Sequence, residues 1–593
     1  MSNRPAVGGT SLPFFFMRIF LRYASLTLLA CGLASCGSGD TPESKGDSAV
    51  QNGGITMGGT FRMNEVQEIR TLDPVRMNDA PSHHIAHQIY DMLVDFDSSL
   101  TLQPELAERW EVSPDGLTYT YHLRKGVMFH DNACFPGGKG RELKASDVKF
   151  TFDRILDARS GTFGDSYFRG KVKGATEYYQ ATQKGNAPAE GVSGFRVVDD
   201  YTFAIDLLKP FAAFKYYPAL GFCYIYPKEA VEKYGKDFFR NPVGTGPFVF
   251  EKWSPGQELT LKKNPSYWGT DAAGNKLPYM DGFRLSFLKD EKQQINEFTS
   301  GNLEESYRIP SEFFGQIIDA ATGQPTPEYA KFRIHRVPAL STQFYGFNTT
   351  AAPFSDKRVR QAFNLAIDRK KIITYVLQGQ AAGPGVHGLV PGSMPGYSAD
   401  KIKGYDFDLQ KAKSLMAEAG FPNGQGFPAM TLNLNSGGGR NQEVAEAMTE
   451  MLNKGLGINV TMQILEWPQH QELLETGKAP FWRLGWITDY PDPENFLNLF
   501  YGPNIPASGP SPINSTRYAN PTFDSLFAIA LGTQDDAQRM ALYAQAEQIA
   551  IDDAPMIMIY HDLDYRLVQP WVHNYSSNPM DRRDFKAVWL AKH

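Results

Sequence analysis

The sequence predicts an α/β protein of several domains, and three features predict it. The first is a βαβ unit. Residues 431–434 are strand formers, Ser436-Gly437-Gly438-Gly439 is a turn, 441–453 is an amphipathic helix, and 459–465 is a second strand. Such a unit favours a parallel sheet with a right-handed crossover. The second is the alternation of short strands and helices along the rest of the chain. The third is length: 593 residues, at roughly 100–200 residues per domain, allow three or four domains.

The elements follow in order. Residues 59–63 start a strand, and Ser82 is placed to cap a helix over 83–93. The turn Pro114-Asp115-Gly116 leads into alternating β-formers at 117–123, a hairpin signal. Residues 147–156 read as a helix. Residues 409–419 read as another, with Asp408 as N-cap and Gly420 at the C-terminal stop. Sheets of this kind place ligands beyond the carboxyl ends of their strands.

Composition excludes several functions. A formal net charge of −6 gives neither a nucleic-acid footprint nor a polybasic membrane patch. After the triple glycine stands Arg440-Asn441, not the Lys-Ser/Thr of a phosphate loop. No Gly-x-Ser-x-Gly elbow occurs. His83, His84 and His87 form a small cluster in which His83 and His87 share a helix face, as two metal ligands would, but no Cys or further ligand is adjacent in sequence. Glu466 and Asp489 would make a glycosidase pair only at a separation that the sequence does not fix. The expectation is a binding protein without cofactor or metal, not an enzyme.

The N-terminus carries an export signal. Arg18 and Arg22 precede an apolar run at 26–34 that ends in small residues. The run is too short for a membrane span, and a start at Met17 would give a compact signal. Leu33-Ala34-Ser35-Cys36 resembles a lipobox, which makes Cys36 the expected lipidation site. Leu28-Leu29-Ala30-Cys31 competes less well because Leu29 is bulky. Residues 1–36 are thus the expected signal peptide, and polar residues 37–55 a tether from membrane to folded body. An exported chain meets an oxidising compartment, so Cys134 and Cys223 can pair; the alternative is two buried thiols.

Ordered motifs then carry a resemblance. They include Leu72-Asp73-Pro74, Pro104-Glu105-Leu106-Ala107-Glu108-Arg109-Trp110, Ser113-Pro114-Asp115-Gly116-Leu117-Thr118-Tyr119 and Asn241-Pro242-Val243-Gly244-Thr245-Gly246-Pro247-Phe248. Later come Ala366-Ile367-Asp368-Arg369, Glu466-Trp467 and Gly485-Trp486-Ile487-Thr488-Asp489-Tyr490-Pro491-Asp492-Pro493. Together they resemble family 5 of the extracellular solute-binding proteins, which serve dipeptide, oligopeptide and nickel ABC importers. The resemblance implies a two-lobed periplasmic-binding-protein fold of type II, with an extra domain inserted in the first lobe. It implies a first lobe at 56–97, 239–340 and 556–593, an extra domain at 98–238 and a second lobe at 341–555. It also implies a monomer on the periplasmic or cell-surface side of a bacterial membrane, taking a peptide ligand to ABC permease subunits and binding no nucleic acid. One departure is the longer segment 132–144, which contains Cys134.

The expected site centres on 483–492. Residues 483–487 read as a buried strand, and Asp489 lies just past its carboxyl end in a Tyr490-Pro491 loop. A carboxylate there suits a ligand ammonium, since a charge-assisted bond gains strength as water is excluded. The resemblance implies that Asp489 grips a peptide amine, Trp467 walls a side-chain pocket, and Arg483 lends charge toward the peptide's carboxyl end. Trp486 and Tyr490 complete the expected ligand-binding set. The alternatives are a turn cap for Asp489, core packing for Trp467 and an internal salt bridge for Arg483. Other solutes on the same fold (a nickel chelate, an opine, an oligosaccharide) remain open, as does an exported hydrolase.

Overall fold

In a computed structural model of the protein, the described residues are 50–51, 54–66, 68–306, 309–319, 322–436 and 439–593. The signal peptide, Cys36 and most of the tether lie outside them.

Alternation of apolar and polar residues sets the faces of three main sheets. In Glu258–Lys263, Leu259 and Leu261 enter the core while Lys262 stays in water. This strand lies between Phe248–Ser254 and Gly282–Ser286, and Thr60–Asn64 adds to the latter in parallel. A second sheet is antiparallel throughout, in the order Ala107–Val112, Thr118–Leu123, Thr202–Asp206, Phe195–Asp199. Tyr119, Tyr121 and Leu123 bury its inner face. The expected hairpin turn is there: Gly116 takes φ 69°, and its N–H donates to the Ser113 carbonyl at 2.8 Å.

The third sheet has six strands, in the order Ala381–Pro384, Met556–Val568, Arg333–Phe347, Phe481–Ile487, Met430–Asn435, Val460–Leu465. Its last pair is the expected βαβ unit, parallel from Met430 opposite Val460 to Asn435 opposite Leu465. The crossover helix Gly439–Leu456 buries Val444, Ala445, Met448, Leu452 and Leu456, an apolar stripe at helical spacing. The helix expected at 83–93 begins earlier, as Ala80–Ile89. Asp79, not Ser82, is its N-cap and accepts the Ser82 N–H at 2.9 Å. Pro81 fits because the first turn needs no amide donor there.

Two long strands, Arg333–Phe347 and Met556–Val568, pass between separate cores. Leu563, Tyr565 and Leu567 pack with Ile295, Phe298 and Phe314. Tyr345, Phe347, Ile557 and Ile559 pack with Met448 and Phe481. Between these halves the pairing register shifts, from Pro338 opposite Leu563 to Thr342 opposite His561. Such a bulge locally disrupts the ladder and lets the strand bend.

A strap braces this bulge. Ser393 donates to the Ala339 carbonyl at 3.0 Å, and Thr342 Oγ1 donates to the Leu389 carbonyl at 2.7 Å. Glu547 holds the strap: its Oε1 accepts the Leu389 and Val390 N–H groups at 2.7 and 3.0 Å, and its Oε2 accepts from the Tyr397 hydroxyl. Gly388 sits at φ 131°, where a Cβ would lie 2.5 Å from Glu547 Oε1.

Cys134 and Cys223 do not pair, so the disulfide is corrected to two free thiols. Cys223 is buried and donates to the Tyr217 carbonyl at 3.3 Å. Cys134 stands in the 132–144 segment, half-buried, its N–H held by Asn132. Burial pushes the Cys134 thiol up to about 11 and the Cys223 thiol well above its usual range. In denaturant, thiol titration without reductant should therefore find both thiols, and no gain when reductant is added.

Two of the three histidines at 83–87 are held by protein groups. His84 lies between Glu65 at 2.6 Å and Asp581 at 3.2 Å, and His87 meets Tyr224 and Asp95. His83 packs on Gly221.

Burial lifts the Glu547 carboxyl to about 7 from 4.5. The folded value is the raised one, so its stabilising effect is full below about pH 4.5 and is lost as pH rises through about 7. Glu547→Gln has no proton to lose. Urea unfolding at about pH 5 and about pH 8 should show the decline shrink in Glu547→Gln by on the order of 3 kcal/mol.

Candidate functional site

The strand Phe481–Ile487 runs antiparallel to Ser341–Phe347 and parallel to Met430–Asn435. Its carboxyl end therefore opens on the same edge as the ends of the βαβ strands. The expectation of a buried strand holds only at its start. Phe481 and Trp482 are buried, but exposure grows along the strand until Ile487 is 52% exposed. Past Ile487 the chain turns back inward, with Thr488 and Tyr490 buried on either side of Asp489.

Neutral groups hold Asp489. The Tyr167 hydroxyl donates to Oδ2 at 2.7 Å, and Asn495 Nδ2 donates to the same oxygen at 3.0 Å. The Asp489 N–H donates to Asn495 Oδ1 at 3.2 Å. Among the described residues, no donor reaches Oδ1 of Asp489. Trp486 Nε1 also donates to Asn495 Oδ1, at 2.8 Å. Tyr490 turns inward: its hydroxyl bonds Glu494, and its ring lies against Tyr216 and Tyr217 at 6.1 and 5.5 Å.

Charge in this region is costly. Burial raises the Asp489 carboxyl, and the bonds from Tyr167 and Asn495 and the Arg582 charge oppose that rise. Burial lifts Glu494 to about 7, against the pull of Lys171. Asp492 is buried and paired with Arg539 at 3.3 Å.

Trp467 opens the helix Trp467–Glu475 at 38% exposure, so it is not core. Its ring lies 6.1 Å from His470, whose Nε2 lies 2.8 Å from the Arg483 carbonyl oxygen. Trp467 and the middle of the strand thus belong to one neighbourhood. Arg483 makes no ion pair among the described residues, which corrects the salt-bridge alternative. Its guanidinium donates to Asn435 Oδ1 at 3.0 Å and to Gln343 Oε1. Gln343 is turned that way because its Nε2 donates to Asp562 at 2.6 Å. Arg483 and Gln343 line a small cavity under the sheet with Tyr345 and Asn441.

Sequence reasoning missed three residues. Arg440, used there only to reject a phosphate loop, sits in the first turn of Gly439–Leu456 and bonds Gln380, with no acid paired to it among the described residues. A cation in a first helical turn opposes the helix dipole, and that was a legible signal. Asn495 and Tyr167 gave no such signal. Tyr167 is 322 residues from Asp489 along the chain.

The sequence profile of the bacterial extracellular solute-binding proteins, family 5, middle region, matches residues 101–507. The chain belongs to this family. It is 30% identical over 576 residues to heme-binding protein A of Haemophilus influenzae, covering 96% of this chain and 98% of that one. It is 30% identical over 511 residues to the dipeptide-binding protein of Escherichia coli, covering 84% and 88%. Among solved structures, the periplasmic binding protein DppA from Helicobacter pylori, in complex with peptide STSA, matches at a TM-score of 0.73. Its identity is 27%, over 90% of this chain and 99% of that one. HbpA2 from Haemophilus parasuis matches at 0.71, with 27% identity over 90% and 100%. The fold is accordingly the periplasmic-binding-protein fold of the family 5 type. No helix among the described residues is long and apolar enough to cross a membrane.

Proposed function

We propose that this protein is the substrate-binding component of an ABC importer, capturing peptides between two closing lobes and delivering them to a membrane permease. The observation that carries this reading is Asp489, whose Oδ1 has no donor among the described residues while Oδ2 is held by neutral groups. A ligand ammonium supplies the missing donor and the missing charge. Arg483 lies four residues before Ile487, or about 13 Å along an extended strand. Asp489 stands two residues beyond Ile487, and opposite charges set apart along one strand and its loop suit the two ends of a short peptide. Exposed Ile464, Trp467 and Ile487 offer apolar contact to side chains. Main-chain bonding with loose side-chain pockets gives affinity without sequence choice.

The lobes follow the limits implied by the family: 56–97, 239–340 and 556–593 for the first, 98–238 for its extra domain and 341–555 for the second. Support comes from the bulge at residues 339–341, which lies between two cores. The strand Met556–Val568 serves both sides, since its first half pairs with residues 342–346. Ligand bridging the lobes shifts an open–closed equilibrium toward the form that the permease accepts. The protein acts as a monomer, held to the membrane by a lipid on Cys36, and performs no chemistry on its ligand. The lipobox resemblance supports the anchor. Charges of both signs favour a peptide over the heme in the name of the Haemophilus influenzae relative, because heme carries carboxylates but no ammonium.

Calorimetry with tri-alanine tests the anchor. Asp489→Ala and Asp489→Asn should each lose roughly 2–5 kcal/mol of binding. Unchanged affinity would sink the assignment. Mass spectrometry after incubation should return the peptide intact, whereas cleavage products would mark a hydrolase.

A further inference from the structure

Asn495 stands at the centre of the anchor loop, 5% exposed. Its Oδ1 accepts from Trp486 Nε1 at 2.8 Å and the Asp489 N–H at 3.2 Å, and Thr488 Oγ1 lies 3.2 Å away with its single proton shared with the closer Tyr490 carbonyl. Two of these donors are N–H groups that cannot accept, so the oxygen must face them and the nitrogen must face Asp489. Flipping the amide would leave these buried donors unpaired, a cost that fixes the orientation. The side-chain Nδ2 then donates to Asp489 Oδ2 at 3.0 Å. This leaves Oδ1 as the oxygen open to a ligand.

Two consequences follow from the chemistry of an amide. It satisfies one carboxylate oxygen without cancelling the charge, as a lysine or arginine would. It also lies only six residues from Asp489 in the chain, so it stays with the anchor when the lobes part. Tyr167, from the 98–238 region, joins only across the interface. The loop is tied further: the Thr488 N–H donates to the Leu340 carbonyl at 3.0 Å, and the Leu340 N–H donates to the Pro579 carbonyl at 2.7 Å. Leu340 lies in the bulge between the two cores.

We propose that Asn495 is the positioning residue of the ligand anchor: it turns the free oxygen of Asp489 toward the ligand amine and so sets the preference for an unblocked amine. The inference rests on the peptide reading. A residue that merely braced the loop would affect free and blocked peptides alike.

The test compares tri-alanine with N-acetyl-tri-alanine by calorimetry on the full chain, in wild type, Asn495→Ala and Asn495→Asp, with unfolding midpoints as a control on folding. Wild type should prefer the free amine. Asn495→Ala should shrink that preference by on the order of tenfold, the scale of coupling between residues in contact. Asn495→Asp keeps the acceptor for Trp486, Thr488 and the Asp489 amide, so it decides the matter if the alanine variant does not fold. It sets two carboxylates side by side, which raises one of their pKa values. Its amine preference should fall more steeply than that of wild type as pH is lowered from about 7 to about 5. An unchanged preference in the folded variants, or equal weakening of both peptides, overturns the role of Asn495 alone. A wild type that binds neither peptide overturns the peptide reading, and this inference with it.

Discussion

The groups that hold Asp489 are neutral, and the proposed ligand anchor depends on that. A tyrosine hydroxyl and an asparagine amide share its Oδ2. An arginine in their place would satisfy the carboxylate and leave nothing for a ligand ammonium. Burial works against the charge, and two hydrogen bonds with the more distant Arg582 work for it. The neighbouring acids show what happens otherwise. Glu494, bonded by the Tyr490 hydroxyl and without an ion pair among the described residues, is lifted to about 7, while Asp492 is closed off by Arg539. The same principle appears at the other end of the strand. Arg483 and Arg440 rest on side-chain amides, so their charge also remains available.

This arrangement depends on where the strand Phe481–Ile487 leaves the core. It is anchored at its start by buried Phe481 and Trp482 and opens toward Ile487. The sheet that carries it is built on two strands that join separate cores, and the pairing is interrupted where the cores change. A continuous ladder would resist bending. A bulge braced by Ser393, Thr342 and the Glu547 strap allows a bend at a defined place. Thr488, one residue before the anchor, is bonded to that bulge, so the site and the crossing strands share backbone contacts.

Much of the local structure was legible in the sequence because it rests on local rules. The βαβ unit followed from period and turn chemistry, and its parallel pairing is as expected. The Asp408 cap and the Gly116 hairpin turn came from residues whose preference is set by their own backbone. Errors were local as well. Asp79 displaced Ser82 as a cap because either could serve and Pro81 moved the helix start. Cys134 and Cys223 gave no measure of their distance, and one proved to be core while the other stands in the 132–144 segment. A short run such as 483–487 reads as a buried strand, yet its exposure rises toward Ile487 because burial depends on what packs over each residue.

The sequence by itself determined the fold class, the family and the position of Asp489 past a strand end, since each is carried by residues close together in the chain. The tertiary structure decided how Asp489 is used. Its partner Tyr167 is 322 residues away, and no local pattern encodes that contact. Asn495 is near in sequence, but its amide direction is fixed by the Trp486 indole and the Asp489 N–H that meet its oxygen. For Arg483 the sequence offers a charge for the ligand or an internal salt bridge, and cannot choose the partner. That it meets amides rather than an acid depends on Asn435 and Gln343 arriving from two other strands. Hydrogen-bond partners and burial are properties of packed neighbours, and those exist only once the chain has folded.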